Sequence, residues 1–207
     1  MKKAKAQQPL AAPEVPKLEA ELKRINYKSR FRRVLRSTVY TLIVVAACAV
    51  LVAVLFMPVL RIYGTSMTPT LNESNIVVSL KDAEIRQKDI VGVYYGTKLL
   101  VKRCIAEEYQ WVDIDEDGNV YVDSVLLDEP YLTEKAFGEC NIELPYQVPE
   151  GCIFVMGDHR ETSIDSRNTS VGCIARDDVV GKIVFRVWPL SQFGVVRTDV
   201  PGIPVDE

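Results

Sequence analysis

The chain has 207 residues, 48% of them hydrophobic, enough for one core with an anchor and too few for two full domains. Its formal net charge of -3 hides an asymmetry: residues 1–36 hold 11 Lys and Arg against 3 Glu, and the remainder holds 14 basic against 25 acidic side chains. A basic terminal arm on an acidic body suits an anionic membrane surface and argues against a nucleic-acid-binding face on the folded part.

Residues 1–36 form the arm. Up to about residue 27 it is polar and carries Pro9, Pro13 and Pro16, so little folds around it and a flexible or partly helical cytoplasmic segment is expected. Residues 37–60 contain no charged side chain. As a helix these 24 residues would span roughly 36 Å, enough to cross a bilayer with some tilt. Lys28, Arg30, Arg32, Arg33 and Arg36 stand directly before them, which predicts an amino terminus inside the cytoplasm and everything from Arg61 onward outside. A removable leader has a shorter apolar stretch ending in small residues; this one ends in Phe56, Met57, Pro58 and Val59 and reads as an uncleaved transmembrane helix.

Residues 61–207 form the third region. Runs rich in Val, Ile and Tyr at 76–80, 90–95, 99–106, 111–114, 120–122, 152–156 and 181–188 alternate with Gly, Pro, Asn and Asp clusters and read as strands. No long amphipathic helix separates them. The expected fold is mainly β, an antiparallel, partly closed β-barrel-like domain. Asp113, Asp115, Asp117 and Gly118 begin like a calcium loop, but its twelfth position is Ser124, so Asp117 and Gly118 are better read as a hairpin turn.

Of five cysteines, Cys48 falls in the span and Cys104, Cys140, Cys152 and Cys173 beyond it. The outer four allow two disulfides in three connectivities, although Cys104, Cys152 and Cys173 sit in apolar runs where free Cys behaves as a small hydrophobe. No pair has zinc-knuckle spacing, and no metal or cofactor is expected.

Three segments offer chemistry. Ser66, between Gly64 and Pro69 shortly after the apolar stretch, could be presented by a fixed turn, but a hydroxyl needs a base. One candidate is His159, the single histidine, in a triad with Asp158 or Asp165. The other is Lys102, which strand alternation places on one face with Leu100 and Cys104. Apolar surroundings disfavour the ammonium and bring a lysine toward neutrality. The third segment, residues 157–167, is dense in hydrogen-bonding side chains, among them Ser163, Asp165 and Arg167.

Taken in this order, the segments resemble the boxes of bacterial type I signal peptidases, in their shorter single-anchor form. The family's G-x-S-M-x-P-T motif is matched by residues 64–70, its V-K-R by 101–103 and its G-D-N-x-x-x-S-x-D-S-R by 157–167. The resemblance implies Ser66 as nucleophile and Lys102 as general base, with Ser163 positioning the lysine and Asp165 and Arg167 bracing the site. Gly64, Met67 and Pro69 complete the serine motif, and Gly157 and Asp158 open the third box. His159 stands where the family usually has Asn, and Gly64 where other branches carry a serine that helps hold the oxyanion. The implied activity is cleavage of secretory preproteins after small-X-small sites at the outer face of the cytoplasmic membrane. Membrane lipid and the protein translocation machinery are candidate partners. The alternative is an anchored, noncatalytic protein that holds extended peptides on the same scaffold. Ile62 and Met67 are expected to touch membrane or substrate.

Overall fold

A computed structural model describes residues 15–197 except Thr97; the first fourteen residues of the expected arm, with Pro9 and Pro13, lie outside the described residues. The chain divides into two compact units, residues 1–51 and 52–207.

The first is dominated by a helix, α1, over Val15–Phe56. Pro16 sits in its first turn, where a missing amide hydrogen costs nothing, and no further Gly or Pro occurs until Pro58, so the helix runs uninterrupted. Its apolar part has a mean hydropathy of 2.9 and is exposed throughout, as a bilayer-crossing helix would be. It stops four residues short of the expected boundary at Leu60. Pro58 disfavours helical backbone at Met57, and Val59 and Leu60 are drawn instead into a strand.

Among the described residues the second unit carries twelve strands: β1 (Val59–Arg61), β2 (Ile76–Leu80), β3 (Ile90–Tyr95), β4 (Lys98–Ala106), β5 (Trp111–Ile114), β6 (Val120–Val122), β7 (Val125–Leu126), β8 (Tyr146–Gln147), β9 (Cys152–Met156), β10 (Ile174–Ala175), β11 (Val179–Trp188) and β12 (Gly194–Val195). The seven expected strands all occur. The five additional ones are two or three residues long, too short to show alternation. An eight-stranded sheet runs β1-β2-β11-β3-β4-β9-β10 with β12 on β11, and a second sheet runs β7-β6-β5-β8. Every pairing is antiparallel. The large sheet has free ends at β1 and β10, so the domain is open rather than a closed barrel.

Alternation along β4 feeds separate apolar clusters. Val101 packs with Ile62, Met67, Leu71, Val77 and Ile183, Cys104 with Val91, Val93 and Val155, and Ile105 with Phe154 of β9 and with Val112 and Val120 of the small sheet. Ile62 and Met67 are 3% and 2% exposed, which corrects the membrane half of their expected contact: they are core beneath the serine turn, and what they expose lines a groove with Ser66.

Asp117 and Gly118 do form the β5–β6 turn, in which the Gly118 amide donates to Asp115 O at 2.9 Å. Gly118 has φ +79°, and a Cβ there would lie 2.6 Å from the Ala136 backbone. Gly118→Ala is therefore expected to cost about 2 kcal/mol or more, read as a lower denaturation midpoint of the detergent-solubilised chain.

Candidate active site

The serine turn leaves β1 at Arg61 and returns to β2 at Ile76. Gly64 adopts φ +79° with open space around it, so backbone conformation and not crowding calls for glycine. Ser66 is half-buried, and its carbonyl accepts the His159 amide at 3.0 Å. Leu71 N closes the turn on Met67 O at 2.8 Å. Farther along, the Thr70 hydroxyl donates to Asp158 Oδ2 at 2.5 Å, and Arg186 of β11 donates to Thr70 O at 2.5 Å. Ser66, Arg61, Tyr63, Leu99 and Val101 line one groove.

Lys102 is 3% exposed. Its Nζ donates to Ser163 Oγ at 2.8 Å. Burial brings its pKa down from 10.5 to about 8, while Asp165 and Asp158 pull it upward and Arg167 pushes it lower. Among the described residues no hydrogen bond joins Nζ to Ser66, but Gly157 brings the two together. A Cβ on Gly157 would stand 2.2 Å from Ser163 Oγ and 2.5 Å from Ser66 O, so only glycine lets the lysine's partner and the serine turn pack this closely.

The loop after β9 is fixed by buried pairs. Arg167 donates Nε to Asp165 Oδ1 and an NH2 hydrogen to Oδ2, both at 2.9 Å, and the Gly157 amide donates to Asp165 Oδ2 at 2.9 Å. Burial opposes ionisation of Asp165, yet Arg167, the Gly157 amide and the Ser163 hydroxyl outweigh it and hold the carboxyl below its usual range. Asp158 takes a two-point pair from Arg103, at 2.8 and 2.7 Å. His159 has its ring Nδ1 against Thr162 Oγ1 at 2.8 Å, and both aspartates of the rival triad are engaged elsewhere. The structure therefore gathers Ser66, Lys102, Gly157, Asp158, Ser163, Asp165 and Arg167, leaves Gly64 and Pro69 shaping the turn, and puts Met67 underneath.

Sequence reading takes Thr70, Arg103 and Arg160 only as members of the matched boxes, and Glu129 and Tyr131 only as a further segment resembling the family, without a role for any of them. Arg103 lies over the Tyr131 ring at 3.6 Å; Tyr131 donates to Glu129 at 2.8 Å; Glu129 pairs with Arg160. The available signal was a charged residue inside an apolar strand, as Arg103 is in β4. The described cysteines are all free, and burial pushes the Cys104 thiol up to about 12, which leaves it an inert hydrophobe.

Because the Lys102 amine is less basic folded than unfolded, the unfolded chain holds the extra proton between about pH 8 and 10.5, and stability rises with pH through that window. Replacing Lys102 with Met removes a buried charge, a gain of ~3 kcal/mol at pH 7, less ~1 kcal/mol for the lost Ser163 bond. Lys102→Met should thus raise the denaturation midpoint at pH 7, with the gap shrinking as pH approaches 10.

The family model described as "Signal peptidase, peptidase S26" matches residues 34–188. Signal peptidase I of Bacillus licheniformis is 34% identical over 175 residues, covering 78% of this chain and 91% of the relative. Signal peptidase I of Bacillus caldolyticus is 35% identical, covering 63% and 79%. Thylakoidal processing peptidase 1, chloroplastic, of Arabidopsis thaliana is 33% identical over 71% of this chain; the chain spans about half, 48%, of that relative's length. With three quarters of its length inside the family model, the chain belongs to the signal peptidase family, peptidase S26.

Proposed function

We propose that this protein removes signal peptides from exported preproteins, with Ser66 as nucleophile and Lys102 as general base. The observation that carries the reading is a buried lysine amine, brought to a pKa of about 8, bonded to Ser163 and packed through Gly157 against the turn that holds Ser66.

As a neutral amine, Lys102 donates one hydrogen to Ser163 and keeps its lone pair for the Ser66 proton. Ser66 Oγ then adds to the scissile carbonyl carbon as its proton passes to Nζ. The Ser66 amide is the available donor for the resulting oxyanion. Collapse breaks the C–N bond, Nζ returns the proton to the leaving amine, and an acyl-enzyme remains. Water passes a proton to the same Nζ and adds to the ester carbon; collapse breaks the bond from that carbon to Ser66 Oγ, and Nζ returns the proton to Oγ. The first half of β4 takes the substrate in extended form: among the described residues it pairs only with β3, because β9 meets β4 from Arg103 onward, and its other edge borders the groove. The positive charge in the basic half of α1 supports an amino terminus in the cytoplasm and a β domain outside the cytoplasmic membrane, the side on which preproteins would leave the translocation machinery.

A noncatalytic peptide holder gives no reason to bury a lysine at the end of such a groove. Removing water from an ammonium is costly, and a binding surface gains nothing from the lowered pKa.

Full-length protein in detergent or lipid is expected to cut a preprotein after the second Ala of an Ala-X-Ala site, with the new amino terminus read by mass spectrometry. Ser66→Ala and Lys102→Ala should each lower kcat/KM by about a thousandfold or more; Gly157→Ala should do so nearly as fully, because the new methyl group strikes both partners. His159→Asn should keep most activity. kcat/KM should rise with pH along a limb centred near 8, as the neutral amine forms; a flat profile, or loss of activity in His159→Asn, overturns the assignment of the base.

A further inference from the structure

Gly157 has its two backbone groups held by members of two different ion pairs. Its amide donates to Asp165, which is paired with Arg167. Its carbonyl accepts Arg160 Nε at 3.1 Å, and Arg160 is paired with Glu129 through both carboxylate oxygens. Glu129 follows the small sheet, and both its side chain and that of Arg160 are excluded from solvent, at 0% and 1% exposure. Tyr131 donates its hydroxyl to Glu129 Oε1 at 2.8 Å while its ring carries Arg103, the residue after Lys102. The Arg160 carbonyl in turn accepts Arg167 at 2.8 Å.

A fully buried ion pair adds little to stability compared with apolar side chains of the same volume, because desolvation offsets its attraction. What it can supply is a fixed position, and the atom positioned here is the Gly157 carbonyl. Its peptide packs between Ser163 and Ser66. We propose that the Glu129–Arg160 pair is a positioning element of the catalytic centre, linking the small sheet to the Lys102–Ser163 contact through Gly157. This inference rests on the Ser66 and Lys102 reading above. Neither residue touches substrate; the pair acts through Gly157.

The test compares full-length wild type with Glu129→Gln, Glu129→Asp and Tyr131→Phe, each normalised to folded protein by a thermal melt. Around the pair stand Tyr131, Asp158 and Arg103; around Lys102 stand Asp165, Arg167 and Asp158. Glu129→Gln removes one negative charge and leaves the positive charge of Arg160 uncompensated, which disfavours the Lys102 ammonium. The expected result is a kcat lowered about tenfold, KM within about twofold, and a pH limb moved down by about half a unit. Glu129→Asp restores the limb with only part of kcat. Tyr131→Phe, which changes no charge, lowers kcat about threefold and decides the matter if Glu129→Gln does not fold. Unchanged kcat and pH limb in folded Glu129→Gln, or a loss that tracks only the unfolded fraction, overturns the proposal. Activity in Ser66→Ala or Lys102→Ala, measured alongside, sinks the dyad instead.

Discussion

A lysine ammonium withdrawn from water has lost its hydration, and every part of the β domain near Lys102 answers to that loss. Strand β4 runs into the core, so the side chain at position 102 is almost wholly withdrawn from solvent and must either shed its proton or find acceptors. It does some of each. Ser163 accepts from Nζ, Asp165 and Asp158 temper the charged form, and burial still leaves an amine close to neutrality near physiological pH. The same burial that would disfavour the residue in a structural role suits the role of base proposed for it.

The surroundings of the lysine are held by three buried pairs, Arg103–Asp158, Arg160–Glu129 and Arg167–Asp165. Each arginine reaches a backbone carbonyl as well as its carboxylate: Lys88 O, Gly157 O and Phe137 O respectively. Such pairs contribute little net stability, but their planar forks fix direction as well as distance. Segments from β4, from the stretch after the small sheet and from the loop after β9 thereby converge without a metal-ligating cluster among the described residues.

Sequence alone made much of this legible, for identifiable reasons. Strands of four residues or more declared themselves by β-branched runs between turn residues, and the order of Ser66, Lys102 and residues 157–167 was specific enough to suggest the family and the centre. The short strands β7, β8, β10 and β12 were not visible, since two residues show no period and their pairing is imposed by neighbours. Residues 59–60 were read with the helix because they are as apolar as the residues before them; only the partner β2 distinguishes them. Met67 was legible only in part: the serine turn buries nearly all of its side chain, which excludes membrane contact, while the little it exposes lines the groove beside Ser66. The Glu129–Arg160 pair spans 31 positions, and nothing local announces it.

The length of α1 has a consequence for which charges can sense lipid. With the uncharged stretch from Ser37 in a bilayer core about 30 Å thick, the preceding helical residues continue as a rod beyond it. Lys28, Arg30, Arg32, Arg33 and Arg36 lie within about 14 Å of the boundary along the axis, in or near the headgroups. Lys17 lies about 30 Å from that boundary, some three or four screening lengths at physiological salt. The described part of the arm is thus electrostatically two objects: a collar within reach of lipid headgroups, and an outer segment too distant for a bilayer to sense its charges.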